Sequence, residues 1–255
     1  MTPKVLLSIL TCLISSPAFA LTGFDIAKKA EENIIGYKSQ RVNANWQLFG
    51  ADKKPTVVYK TLQLTREGEA GSGPKSLIRF LAPADTKGTA LLTQENPESS
   101  DSRWLYLSET RQIKRISTAN MSAAFKGTEF SYEDLLLKTL ERYNWKLLGE
   151  KELSGKQTYV VERKAKFEGS GYSKAVVYFD KETYTPIQTR YFNPAGKPLK
   201  VARLSKYKKY NGKWRAHVII MDNVLSKRRT AITFGAYKLG LKLPARIFTK
   251  AQLAK

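Results

Sequence analysis

The sequence predicts a mainly β fold: an antiparallel sheet, barrel or sandwich. Three observations predict it. Apolar and polar residues alternate with period two from Arg41 onward, the alternating runs are short and separated by turn residues, and helical periodicity is scarce. Many short strands with few helices argue against an α/β arrangement.

The elements follow in chain order. Residues 1–4 are a short basic start, 5–14 (VLLSILTCLI) an apolar stretch, and Ala18-Phe19-Ala20 a small-x-small site. These are the three parts of a secretory signal peptide cleaved after Ala20. The apolar stretch falls well short of the roughly 20 residues a membrane-spanning helix needs. A first helix is predicted from Thr22, an N-cap with Asp25 three residues on, through Ile26, Ala30 and Ile34 to a stop at Gly36. It reads as a packing element. Strands are predicted over 41–49, 56–66, 75–82, 88–94, 103–108, 111–117, 145–153, 157–167, 173–180, 185–192, 199–210, 213–222 and 228–237. Turn residues such as Gly50, Asn96-Pro97, Gly155, Gly169-Gly171 and Asn193-Pro194-Ala195-Gly196 part them. Asn211-Gly212 is the sharpest turn signal, since Asn-Gly favours a two-residue type I′ hairpin. Within 131–142, Ser131 as N-cap, Asp134, and Leu135, Leu136 and Leu140 predict a helix of about three turns or fewer. No linker interrupts the chain, so 21–255 is expected to be a single domain.

Composition narrows the function. The 255 residues carry 44 Lys and Arg against 22 Asp and Glu, a net charge of +22, with one His and one Cys. One Cys excludes a disulfide scaffold and any multi-thiolate zinc or iron–sulfur site. Cys12 itself lies in the signal segment. That segment carries one charge, Lys4, so its removal leaves the mature chain at +21. A secreted cation seldom meets nucleic acid, and none is expected here. Its anionic partners are lipid head groups, lipopolysaccharide, acidic glycans or an acidic protein surface. No cofactor and no metal are expected, and the chain reads as a monomer of the periplasm.

The case against an enzyme is one of missing motifs. No Gly-x-Ser-x-Gly elbow is present. The glycine-rich segment 68–76 (GEAGSGPKS) has Pro74 where a phosphate loop needs Lys, and reads as a turn. Glu129, Glu133 and Asp134 form the notable acidic cluster, explained by capping and the helix dipole. The hairpin pairing Tyr210 with Lys213, Lys208 with Arg215 and Lys206 with His217 places Lys206, Lys208, Lys213, Arg215 and His217 on one face. Such a stripe is either a solvated, edge-protecting face or a docking site for an anionic partner. Aromatics at Trp46, Phe80, Trp104, Tyr106, Tyr178, Phe179, Phe192 and Trp214 alternate with polar residues. They form either an ordinary core or one face left open to a ligand.

Phe80-Leu81-Ala82-Pro83, Trp104-Leu105-Tyr106-Leu107 and Gly127-Thr128-Glu129-Phe130 belong to a series of segments that together resemble the outer-membrane lipoprotein-sorting, LolA-like family, in the subfamily that accompanies RND-type exporters. Phe80-Leu81-Ala82-Pro83 with Lys87-Gly88-Thr89-Ala90-Leu91 is similar to one family segment. Trp104-Leu105-Tyr106-Leu107 is similar to a second, with Ser108 replacing the usual proline. Gly127-Thr128-Glu129-Phe130-Ser131-Tyr132-Glu133-Asp134-Leu135 is the nearest match. Tyr178-Phe179-Asp180 through Thr185-Pro186-Ile187, Gly196-Lys197, Met221-Asp222-Asn223 and Phe248-Thr249 with Leu253 complete the series. The likeness runs from about residue 75 to the C-terminus.

The resemblance implies a strongly curved, unclosed β-barrel with short helices as a lid, holding a lipid or lipoprotein acyl chain in an apolar cavity, and no catalytic residues. The cavity residues expected on that basis are Trp46, Phe80, Leu91, Trp104, Tyr106 and Phe179. The lid helix is expected at Ser131, Asp134, Leu135 and Leu136. Expected partners are the lipid or lipoprotein cargo, an inner-membrane RND-type transporter and an anionic membrane surface. The competing reading is a non-enzymatic docking module that binds an anionic partner through the basic hairpin. A hydrolase would have to rest on His217 or on Glu133-Asp134.

Overall fold

The computed structural model describes residues 21–69, 72–96, 101–137 and 140–255. The expected signal peptide with Cys12, Gly71, Pro97 of the expected Asn96-Pro97 turn, and residues 138–139 of the expected lid helix lie outside them. Helix α1 (Gly23–Glu32) starts as its sequence predicts. Thr22 Oγ1 accepts from the Asp25 N–H, and Asp25 returns the bond to the Thr22 N–H at 2.9 Å, a reciprocal capping box. The helix ends before Gly36, because Asn33 caps it and donates its side-chain amide to the Thr183 carbonyl at 2.8 Å. Gly36, at φ +85°, instead turns the chain toward the first strand.

Two meanders follow. The first comprises β1 (Ser39–Phe49), β2 (Pro55–Arg66), β3 (Lys75–Ala82), β4 (Ala90–Gln94), β5 (Ser102–Leu107) and β6 (Gln112–Arg115), each pairing antiparallel with the next. The second comprises β7 (Tyr143–Leu153), β8 (Lys156–Ala165), β9 (Lys174–Asp180), β10 (Pro186–Phe192), β11 (Pro198–Ser205), β14 (Val218–Asn223) and β15 (Arg229–Phe234). Between β11 and β14 stands a separate hairpin, β12 (Lys208–Tyr210) with β13 (Lys213–Arg215). A short β16 (Lys238–Leu239) pairs with the start of β1. The meanders join only where β1 pairs with β15, Trp46 opposite Ile232, giving one 14-stranded sheet. Its ends, β6 and β7, do not pair with each other. The barrel is unclosed.

The sheet curls around its own side chains. Trp46, Phe80, Leu91 and Leu105 from the first meander share one buried cluster with Ala175, Tyr191, Ala202 and Met221 from the second. Residues between β6 and β7 fill the first half of this concavity. Phe125, fully buried, lies 6.0 Å from the Trp46 ring and 5.6 Å from Phe80, and Phe130 meets Trp46 edge-on at 5.5 Å. The opposite face of β3–β5 is covered by the C-terminal turns Ala245–Phe248 and Lys250–Gln252. There Phe248 and Leu253 pack on Leu64, Leu77, Leu92 and Tyr106.

The sequence reading needs correcting at three strands or helices. The strands expected over 199–210 and 213–222 are each broken, because Lys206 adopts a left-handed φ of +54° and the His217 N–H turns to the carbonyls of Ser205 and Lys206. The hairpin itself keeps the expected register, with Asn211 and Gly212 both at positive φ as a type I′ turn requires. The lid helix expected over 131–142 does not form in the described residues. Only single 3-10 turns stand there, at Glu133–Leu135 and Leu140–Arg142. Its cap is built, since the Ser131 N–H and hydroxyl donate to Asp134 Oδ2 at 2.8 and 2.9 Å. Leu136 then turns extended, and the Leu137 N–H goes to the Glu95 carboxylate instead of a helical carbonyl.

Candidate functional site

A cavity of about 760 Å³ opens between the concave face of the second meander and its cover. The wall is apolar because inward-pointing residues of neighbouring strands align in rows. Val177, Thr189, Ala202 and Met221 pair in one row, and Leu204 with Ile219 in the next. Helix α1 covers one side. Its Ile26 and Ala30 pack on Val161, Val177 and Phe179, while Ala27, Ala30 and Ile34 face the cavity. Gly23 makes this approach close: a Cβ there would lie 2.6 Å from the Leu147 nitrogen on β7. The 131–142 segment covers another side through Leu136, Leu137 and Leu140.

Of the cavity residues expected from the sequence, the structure brings Phe179 to this space. Trp46, Phe80 and Leu91 lie in the same concavity but are sealed beneath Phe125 and Phe130. Trp104 and Tyr106 point to the other face, against the C-terminal turns. Leu105, between them, is the residue of β5 that faces inward. Among the lid residues, Asp134 and Leu136 line the cavity, Leu135 packs into the core, and Ser131 acts as the cap.

The acidic pair holds the cover in place. Glu133 is buried and accepts from Ser170 Oγ at 2.7 Å and the Gly171 N–H at 2.8 Å. Asp134 accepts from the Tyr172 hydroxyl at 2.9 Å and lies 3.6 Å from Lys200 Nζ. Burial and the Asp134 charge hold the Tyr172 phenol well above its usual value, so it stays a donor. On the next segment Glu95, 3% exposed, anchors Leu137 beside a buried group in which Arg103 and Arg142 share Asp101. Burial pushes the Glu95 carboxyl up to about 8, although Arg142 and the Leu137 N–H draw it down. A second cavity of about 320 Å³ adjoins Arg103 and Arg142, and Leu136 lines both cavities.

Of the polar wall residues that escaped the sequence reading, one is a cation. Arg163, on β8 opposite Trp145 and Ala175, lines the large cavity. The signal was present, since Arg163 shares the parity of Tyr159 and Val161, which are apolar and inward.

The basic hairpin is less outward than its sequence implies. Arg215 is buried, with Nε on Gln40 at 2.9 Å, one amino group on the Ile34 carbonyl at 3.1 Å, and its plane over Tyr37. Lys213 reaches the Glu32 carbonyl at 3.0 Å. His217 Nδ1 donates to the Phe234 carbonyl at 2.9 Å, and Nε2 accepts from the Tyr210 hydroxyl at 2.8 Å. Both ring nitrogens are engaged. Lys206 and Lys208 remain exposed.

Among the described residues no helix is long and apolar enough to cross a membrane. A family model described as an uncharacterized protein matches residues 73–255. No curated protein matches the chain. An outer membrane lipoprotein-sorting protein domain from Vibrio parahaemolyticus is 30% identical, with a TM-score of 0.87 over 91% of this chain and 98% of that one. A DUF1329 family protein from Desulfovibrio piger is 24% identical, with a TM-score of 0.85 over 91% and 97%. A LolA superfamily protein from Nitrosomonas europaea is 23% identical, with a TM-score of 0.74 over 91% and 99%. The last two comparisons carry the fold.

Proposed function

The chain belongs to the LolA-like family of outer-membrane lipoprotein-sorting proteins, and from that membership we propose that it carries a lipid or lipoprotein acyl chain in its cavity for transfer toward the outer membrane. The observation that carries this reading is the apolar space of about 760 Å³ between the sheet and its cover. Its size falls within the roughly 300–1,000 Å³ of small-molecule sites. Each methylene taken from water contributes about 0.8 kcal/mol, so a long chain is held tightly without any charged contact. The finer reading is a mature, non-catalytic domain of residues 21–255, released into the periplasm by cleavage of its signal peptide. It acts as a monomer and exchanges cargo with an RND-type transporter. Docking of an anionic partner through the basic hairpin has less support, since Arg215 is buried and both ring nitrogens of His217 are engaged within the protein.

Native mass spectrometry of protein purified from the periplasm tests the proposal, and co-purified lipid is the expected result. Ala202, buried on the cavity wall, offers the matching variant. Ala202→Phe fills the space and is expected to cut uptake of an alkyl probe at least about tenfold with the circular dichroism spectrum kept. A protein that neither co-purifies with lipid nor takes up the probe overturns the carrier reading.

A further inference from the structure

Arg163 is the only cation among the described residues that line the large cavity. Its guanidinium carbon lies 4.9 Å from the centre of the Tyr143 ring and 5.9 Å from that of Tyr191. The guanidinium thus lies over both rings as a cation–π partner. Its edge carries five N–H donors, and among the described residues none of them makes a hydrogen bond or an ion pair within 4 Å. A desolvated guanidinium with an unused donor edge is a strong site for a planar or tetrahedral oxyanion, which it binds through paired N–H bonds.

Among the described residues no acid around the cavity bonds that edge, although the charges of Asp134 and Glu133 act on the guanidinium. Asp134 is held by Ser131, by the Tyr172 hydroxyl and by Lys200. Glu31 accepts the Leu140 N–H at 3.1 Å, and Glu67 the N–H groups of Gly36 and Lys38, both at 2.6 Å. Glu141 is exposed. Tyr191 lines the same space, and its hydroxyl makes no hydrogen bond among the described residues. Across the sheet the wall presents an apolar strip, through Val177 and Ala202 to Leu204 and Ile219.

We infer that the cavity selects an amphiphile with an oxyanion head, a carboxylate or phosphate, which sits on the edge of Arg163 while its alkyl chain lies along Val177, Ala202, Leu204 and Ile219. The inference rests on the carrier reading and deepens it, because a purely apolar cavity would not distinguish an acid from the alcohol of equal length.

The experiment measures binding of dodecanoate, dodecyl phosphate, dodecanol and inorganic phosphate by calorimetry at pH 8. It uses the wild type, Arg163→Gln and Arg163→Lys. Wild type is expected to bind both oxyanionic amphiphiles about ten- to a hundredfold more tightly than dodecanol, the range of a charge-assisted hydrogen-bond pair. Inorganic phosphate alone is expected to bind too weakly to measure. Arg163→Gln should erase the preference, bringing both oxyanionic amphiphiles down to about the affinity of dodecanol, and Arg163→Lys should restore part of it. Equal affinity of the wild type for dodecanoate and dodecanol overturns the inference while leaving the carrier reading intact. So does an Arg163→Gln variant that loses dodecanol to the same degree. Inorganic phosphate binding as tightly as dodecyl phosphate would mark a free-anion site and also overturn it. Failure of every amphiphile, dodecanol included, brings down the carrier reading and this inference together.

Discussion

Glu95 sits where β4 ends, and its carboxyl receives the Leu137 N–H from the cavity cover. Its second oxygen is buried without a partner among the described residues. With a folded value of about 8 against an ordinary 4.5, it keeps its proton in the folded protein over a window in which the unfolded chain has released it. Its contribution to stability is therefore complete below about pH 4.5 and declines by about 1.4 kcal/mol per pH unit as pH rises toward 8. Glu95→Gln keeps the acceptor for Leu137 and removes the titration. Urea midpoints of the variant should vary less with pH between 5 and 8, and above pH 8 the variant should be the more stable protein. Parallel pH curves would refute this assignment. At this scale the sequence is legible where a residue's parity is clear. Arg163 shares the inward register of Tyr159 and Val161, yet sequence reasoning passes over it because a cation in a strand reads as solvent-facing. Trp104 and Tyr106 mislead, because their apolar bulk fits either face of β5 and the sequence does not show that the C-terminal turns cover the outer one.

The capping boxes at Thr22 and Ser131 are both built, yet only one opens an α-helix. After Thr22, Ile26 and Ala30 can all bury on β8 and β9 while the backbone keeps its helical bonds. After Ser131, three successive leucines have to reach the core and the cavity together, which a helix would spread around its circumference. The backbone turns extended at Leu136, and Glu95 replaces the lost acceptor. The box motif fixes where such a segment starts, and tertiary contacts fix how long it runs. The position of α1 depends on Gly23, which lies against the β7 backbone. Gly23→Val is expected to lift the N-terminal turn off β7, lower stability by about 1–3 kcal/mol, and loosen the cavity mouth. Thermal unfolding and faster release of an alkyl probe read the two effects. A wild-type melting curve with unchanged release would refute the seating of α1 on Gly23.

Across the whole molecule, the fold class and the antiparallel, unclosed sheet were readable from period-two patterning together with the family likeness. The location of the cavity was not. Either half of a symmetric-looking set of strands could have stayed open, and the choice is made by 116–132, whose Met121, Phe125 and Phe130 fill the first half. No local pattern announces such a plug, because its residues form neither a strand nor an α-helix. The C-terminal segment performs a similar service outside, where Phe248 is 1% exposed and Leu253 fully buried. Deleting residues 241–255 would bare Leu64, Leu77, Leu92 and Tyr106 together, a contiguous apolar patch of the kind that drives association. Light scattering of the truncated protein should show self-association with the far-ultraviolet strand signal kept. A truncated protein that stays monodisperse would mean these turns are dispensable.

The single β1–β15 junction orders events in time. Each meander is a run of local hairpins that can zip as it emerges, whereas β1 ends at Phe49 and its partner does not begin until Arg229. A chain delivered N-terminus first, from a ribosome or across a membrane, leaves β1 waiting for its second neighbour until Arg229 arrives. Throughout that interval the first meander exposes an unpaired edge carrying Trp46 and Leu48, so a newborn chain needs a chaperone or delayed folding until its last long strand arrives.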